Sequence, residues 1–284
     1  MTGIADRLSL QDRVIVVAGG GGGGIGTAVC RAAAELGAVV VTLDIDERLL
    51  DLARTAVEEA GSRFIGHVVD VRNKAEVDAA FASVVQAEGR VDGLVNVVGG
   101  EQRYHWGRML DFEMTHFDEV LDLNARYTVL TASAAARHMI EAGRPGSIVH
   151  ISSTAAFSAT PKQMAYGAAK AALLSITRTM AVEWGPHSIR VNAIAPGTIS
   201  TPRDHAGTVS DGSDGTGVLP LRRRGSGEEL ASAVMFMLSD LSSFVTGQTL
   251  LVDGGALLRR ADLDSEDISV FVQDEEIRSR LRGT

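Results

Sequence analysis

Residues 13 to 37 read RVIVVAGGGGGGIGTAVCRAAAELG, and this stretch decides the fold. Arg13 to Ala18 is a short run of mostly β-branched residues between polar neighbours, as in a strand buried on both faces of a parallel sheet. Six glycines follow, then Ile25 and Gly26. The alanine-rich segment beyond them closes on Gly37, which predicts a helix with a glycine C-cap. Alone, a glycine run more often marks a flexible linker. Between a strand and a helix it lets the backbone come close to a pyrophosphate at the positive helix terminus.

The chain repeats this rhythm. Ala38 to Leu43 predicts a second strand ending in Asp44, 18 residues after Gly26. That is near the spacing at which a carboxylate meets an adenosine ribose. A carboxylate there accepts hydrogen bonds from a 2′-hydroxyl and repels a 2′-phosphate, which favours NAD(H) over NADP(H). Arg48 leaves room for a phosphate, and merely ending a strand is a plainer role for Asp44. Helix Arg48 to Ala60, strand Arg63 to Val69, helix Lys74 to Glu88 and strand Gly93 to Val98 extend the alternation. It implies an α/β Rossmann architecture: one doubly wound parallel sheet with helices on both faces and right-handed crossovers.

A second informative stretch is residues 146 to 170, GSIVHISSTAAFSATPKQMAYGAAK. Ser147 to Ile151 predicts a buried strand, Ser152 and Ser153 a turn, Pro161 a break, and a helix opens near Tyr166. Tyr166 and Lys170 are four residues apart, so they share one helix face. A phenol has an ordinary pKa of roughly 10, and a nearby ammonium favours the phenolate. Ser153, at the strand tip, can aim its hydroxyl at the same space. A Tyr-x-x-x-Lys pair alone is usually a solvated helix face; the serine 13 residues upstream raises its meaning.

With that spacing, and with the phrases GSIVHISS and YGAAKAAL, the chain resembles the short-chain dehydrogenase/reductase family over about residues 10 to 255. The resemblance implies reversible hydride transfer between NAD(H) and a secondary alcohol or ketone. Tyr166 would exchange the proton, Ser153 would bind the reacting oxygen, and Lys170 would hold the nicotinamide ribose. Asn124 matches the family's assisting asparagine, with the task of holding a water that links Lys170 to solvent. Gly20, Gly24 and Gly26, with Ile25 between, match the glycine pattern G-x-x-x-G-x-G. The threonine usual just before the first of these glycines is missing, which removes a brace from that loop. Asp70 and Val71 would lie beside the adenine, although capping the next helix is a second role for Asp70. Asn96 and Gly99 belong to NVVGG, a substituted form of the family's Asn-Asn-Ala-Gly turn. Pro196, Gly197, Ile199 and Thr201 would cover the nicotinamide and reach the phosphates.

Two segments at the sheet's carboxyl edge carry no pattern. Residues 101 to 114 offer Arg103, Tyr104, His105, Trp106 and Arg108 to a substrate, or are simply an exposed polar loop. Residues 200 to 218, rich in glycine, serine and aspartate, suggest a lid. His150 reads as a satisfied buried histidine. Gly167 and the alanines after Lys170 permit close helix packing, by which the family forms dimers and tetramers. Residues 1 to 255 are expected to form one catalytic domain. Residues 256 to 284 read as a solvated extension, with Val270 to Val272 as a segment that docks on a neighbouring subunit.

Composition narrows the function classes. Of 284 residues 45% are hydrophobic and 22% charged, with a net charge of −9. No basic stripe exists to neutralise nucleic-acid phosphates. No uncharged apolar run reaches membrane-spanning length, and the N-terminus lacks a signal-peptide core. The one cysteine, Cys30, excludes an internal disulfide and fits a reducing cytoplasm. It sits among alanines as a core residue. Seven scattered histidines show no metal-ligand spacing. Two alternatives remain beside the alcohol dehydrogenase: a 3-oxoacyl-thioester ketoreductase acting on an acyl carrier protein, and a non-catalytic dinucleotide sensor or scaffold.

Overall fold

The computed structural model describes residues 3–201, 219–259, 268–269 and 272–282. Seven strands form one sheet: β1 (Val14–Ala18), β2 (Val39–Asp44), β3 (Phe64–Val68), β4 (Gly93–Asn96), β5 (Gly146–Ile151), β6 (Ile189–Pro196) and β7 (Thr249–Val252). Every pairing is parallel, in the order β3-β2-β1-β4-β5-β6-β7. The chain reverses direction across the sheet between β1 and β4, and such a switch point opens a crevice at the carboxyl ends of the strands.

The helices are α1 (Ile4–Leu8), α2 (Ile25–Glu35), α3 (Glu47–Glu59), α4 (Lys74–Glu88), α5 (Met114–Leu121), α6 (Tyr127–Glu141), α7 (Met164–Trp184), α8 (Gly227–Leu238) and α9 (Glu275–Arg282). Strand alternation divides the core between the two faces. Val14, Val16 and Leu94 pack with Val77 and Phe81 of α4, Tyr127 and Met139 of α6, and Met180 of α7. Ile15, Val17 and Val149 pack with Val29 and Cys30 of α2, Val57 of α3, and Leu230 and Val234 of α8. All five residues of β1 are buried, as an apolar run between two helical layers must be.

Capping residues set where these helices begin. Asp46 accepts from the Arg48 backbone at α3, Asn73 from Ala75 at α4, and Ser226 forms a capping box with Glu229 at α8. Asp70 is therefore not the cap of α4.

A π-helical turn, Asp122–Arg126, separates α5 from α6 and carries Asn124. A Cβ on Gly167 would stand 2.3 Å from the Thr160 hydroxyl oxygen, so this glycine also serves packing within the chain. The extension carries α9, with Glu275 and Glu276 in its first turn and Arg280 and Arg282 in its last, charges that complement the helix dipole. The suggested lid lies outside the described residues beyond Thr201, as do Val270 and Phe271. No helix among the described residues is long and apolar enough to cross a membrane. No group of three or more His, Cys, Asp or Glu among them is arranged to hold a metal.

Candidate active site

At the switch point the glycine loop is held by side chains on both flanks. Gly19 has φ +89°, and a Cβ on it would lie 2.8 Å from the Val98 backbone nitrogen. A Cβ on Gly26 would stand 2.0 Å from the Gly19 carbonyl oxygen, so only glycine lets α2 begin this close to the loop. The missing threonine does not leave the loop unbraced. Thr27 Oγ1 donates to the Gly20 carbonyl at 2.8 Å and accepts from Gly23 N–H at 3.0 Å. Asp44 Oδ2 accepts from Gly21 N–H at 3.0 Å, and Oδ1 from Ile45 N–H at 2.9 Å. Arg48 is turned away and pairs with Asp46 at 2.5 Å.

The loop forms one wall of a groove of about 430 Å³. Of the predicted cofactor residues, Gly24, Ile25, Gly26, Asp44, Asp70, Val71, Gly99 and Thr201 line it. A glycine wall at the positive end of α2, with a buried carboxylate at the edge of β2, suits the anionic pyrophosphate and ribose of a dinucleotide. The other predicted residues stand behind or beside it. Gly20 faces Thr42 and Cys30. Burial raises the Cys30 thiol to about 12, so it behaves as core. Asn96 points inward, its Nδ2 3.1 Å from His150 Nδ1 while its Oδ1 accepts from Thr131 at 2.8 Å. Pro196 ends β6, Gly197 N–H donates to Val252 at 3.0 Å, and Ile199 bridges to Gly225. Asp70 holds Arg72 at 2.8 Å while lining the groove.

The ends of β4 and β5 and the start of α7 bring Ser153, Tyr166 and Lys170 together. Ser153 begins a 3-10 turn and accepts from Ala155 N–H at 3.1 Å, and its hydroxyl is near enough to the Tyr166 phenol to act on its pKa. Lys170 is buried, with Nζ 5.6 Å from the Tyr166 ring centre and donating to the Ile151 carbonyl at 3.0 Å. Burial without a carboxylate partner lowers Lys170 to about 8. The Tyr166 pKa is raised, first by burial and also by the charge of Glu101, against the lowering effect of Ser153. Desolvation, and not the ammonium effect expected from the Tyr-Lys spacing, sets the direction of the shift.

Asn124 is buried and its amide is committed to the backbone. Nδ2 donates to Gly100 at 2.8 Å and Val120 at 2.9 Å, and Oδ1 accepts from Gly100 N–H at 2.8 Å. Both side-chain N–H groups are used, so only a spare lone pair on Oδ1 remains for a water. Gly99 sits between Asn124 and Lys170: a Cβ there would be 2.7 Å from Asn124 Oδ1 and 3.0 Å from Lys170 Nζ. His150 is only half satisfied. Its Nδ1 meets Asn96 while its buried Nε2 has no partner. Burial, and then the charge of Lys170, lower it to about 3.

Residues 101 to 112 cross in front of α7. Gly107 N–H donates to the Lys162 carbonyl at 3.0 Å, and Gln163 donates to Glu101 Oε1. His105 is buried and structural, accepting from Gln102 N–H at 3.0 Å and meeting Glu119 at 3.1 Å. Tyr104 and Trp106 are exposed. Sequence reasoning passed over Glu101 and Gln102, which have no spacing signature. Their one signal was their place directly after the NVVGG turn at the sheet's carboxyl edge.

A parallel sheet with a glycine-walled groove at its switch point defines a dinucleotide-binding α/β protein. The chain belongs to the short-chain dehydrogenase/reductase family: a family model described as enoyl-(acyl carrier protein) reductase matches residues 20–256. It is 34% identical over 260 residues to an NAD-dependent glycerol dehydrogenase of Listeria innocua, covering 90% of this chain and 98% of that protein. A 3-oxoacyl-acyl-carrier-protein reductase of Thermotoga maritima is 33% identical over 234 residues, 82% of this chain and 94% of that protein. The crystal structure of carveol dehydrogenase from Mycobacterium avium in complex with NAD matches with a TM-score of 0.82 at 27% identity, over 88% of this chain and 99% of that one. The chain is a dehydrogenase/reductase that uses a nicotinamide dinucleotide.

Proposed function

We propose that the protein transfers hydride between NAD(H) and a small secondary alcohol or ketone, with Tyr166 as the proton-exchanging group. The observation that carries this reading is the convergence of the Ser153 hydroxyl, the Tyr166 phenol and the Lys170 ammonium at the carboxyl ends of β4 and β5. When bound, the nicotinamide supplies the hydride chemistry. Ser153 uses one lone pair on Ala155 N–H and keeps its O–H as a donor for the substrate oxygen and its second lone pair as an acceptor. In oxidation Tyr166 takes the hydroxyl proton, and in reduction it returns one. Lys170 supplies a positive charge beside the phenol, which favours the phenolate over the phenol. Asn124 fixes the Gly99–Gly100 turn beside it.

The choice of NAD rests on Asp44. Its two oxygens are fixed by Gly21 and Ile45 in the groove, and Arg48 is engaged by Asp46. A 2′-phosphate there would meet a carboxylate and no free cation from Arg48. The NAD-dependent glycerol dehydrogenase among the relatives agrees with this preference. Cytoplasmic location and assembly as a homodimer or homotetramer belong to the same proposal.

A second reading, reduction of a carrier-bound 3-oxoacyl thioester, is favoured by the Thermotoga relative. The test is a panel of small secondary alcohols and ketones beside 3-oxoacyl thioesters, each with NAD(H) and NADP(H), followed by nicotinamide absorbance. Faster turnover of the small substrates with NAD(H) supports the first reading. Activity confined to thioesters and NADPH contradicts it, and no turnover with any substrate favours a dinucleotide sensor.

A further inference from the structure

Glu101 is the first side chain after the two glycines that follow β4 and Val98, so it stands at the carboxyl edge of the sheet. The segment it opens is pinned to the entry of α7 by Gly107 N–H on the Lys162 carbonyl at 3.0 Å, and by the Gln163 side chain on Glu101 Oε1. These ties hold the carboxylate in front of the helix that carries Tyr166. Its charge reaches the phenol and is one of the influences that raise the Tyr166 pKa. Its second oxygen, Oε2, is buried and has no hydrogen-bond partner, and the Trp106 N–H approaches the carboxylate without meeting bonding geometry.

A buried carboxylate oxygen without a donor is costly, so it persists where a ligand supplies the donor. Resting on the alcohol dehydrogenase reading, we propose that Glu101 is a specificity-determining residue whose Oε2 accepts a hydroxyl on the carbon next to the reacting one. The preferred substrates are uncharged vicinal diols and their α-hydroxyketones. Ser153 and Tyr166 bind the reacting oxygen while Glu101 binds its neighbour, which fixes which carbon faces the nicotinamide. In oxidation the hydride leaves the carbinol carbon for the dinucleotide, the hydroxyl proton goes to Tyr166, and an α-hydroxyketone results. Glu101 only accepts a hydrogen bond. A carboxylate at the neighbouring carbon meets like charge and no donor, so 2-hydroxycarboxylates are poor substrates.

The test compares kcat/KM for butane-2,3-diol, butan-2-ol and lactate with NAD at alkaline pH, in the wild type, Glu101→Leu and Glu101→Gln. Ratios within one enzyme cancel any general loss of active protein. The wild type should favour the diol over butan-2-ol on the order of 100-fold, since a site built to bind a hydroxyl discriminates against analogues lacking it. Glu101→Leu should bring that ratio to within about threefold of one. Glu101→Gln, which keeps an acceptor and loses the charge, should retain part of the diol preference and raise lactate relative to butan-2-ol about fivefold or more. A wild-type ratio near one, or a ratio unchanged by Glu101→Leu, overturns the role of Glu101 and leaves the dehydrogenase reading standing. No turnover of these alcohols, or of butan-2-one, acetoin and pyruvate with NADH, overturns both.

Discussion

The glycine loop and the cleft around Tyr166 lie along one edge of the sheet and differ in how completely their polar atoms are paired. At the loop, Thr27 uses its hydroxyl both as donor and acceptor, and each oxygen of Asp44 receives a backbone N–H. Beside Tyr166 the buried Glu101 Oε2 has no partner, and within the charge of Lys170 neither has the buried His150 Nε2; the only other such side-chain atom among the described residues is His67 Nε2 on β3. The nucleotide end is built in advance and the reacting end is left incomplete. A rigid cradle suits a ligand common to every turnover, whereas unpaired groups keep their hydrogen-bonding capacity for the group that changes.

Substitutions at both ends sharpen this contrast. Outside the reacting group itself, the largest effect is expected from Asp44→Ala, which removes the carboxylate proposed to face the 2′ position and one brace of the loop. The NAD-to-NADP preference in kcat/KM should shift on the order of 100-fold toward NADP, a loss typical of removing a charge-mediated contact. Next is His150. Its folded pKa lies near 3 against an ordinary 6.5, so below pH 6.5 the unfolded chain binds a proton that the folded one does not. Stability from this group is therefore full at neutral pH and falls as the pH drops from 6.5 toward 3. Denaturant unfolding should show the wild type losing roughly 2 kcal/mol more than His150→Asn between neutral pH and about pH 5. The smallest effect is expected from Thr27→Val, which deletes the hydroxyl bracing Gly20 and Gly23. It should cost about 1 kcal/mol of stability and weaken NADH binding several-fold, read by fluorescence titration. An unchanged NADH affinity would break the claim that the cradle is rigid in advance.

What could be read from the chain followed the regularity of the physics. The β-branched run at Arg13 to Ala18, the glycines after it and the alternation onward led to the observed parallel sheet, because buried parallel strands and their crossover helices leave strong patterns. Helix Lys74 to Glu88 was placed to the residue because Asn73 caps it. The π-helical turn at Asn124 left no such mark, since it depends on a side chain bonding the distant Gly100 backbone. The loop's brace was missed because Thr27 lies after the glycines rather than before them. His150 was misjudged as satisfied because Nε2 faces a neighbourhood formed only in the fold. Glu101 was passed over because one carboxylate in a polar loop has no periodicity; its meaning comes from Gln163 and Tyr166, more than 60 residues away.

The account depends most on the phenol of Tyr166 exchanging the substrate proton beside a bound nicotinamide. Tyr166→Phe keeps the ring and deletes only that oxygen. With the best alcohol found in the substrate panel, its kcat should fall about 1,000-fold while NADH affinity stays within about threefold of the wild type. A variant that binds NADH and still turns over at more than about a tenth of the wild-type rate would contradict the account.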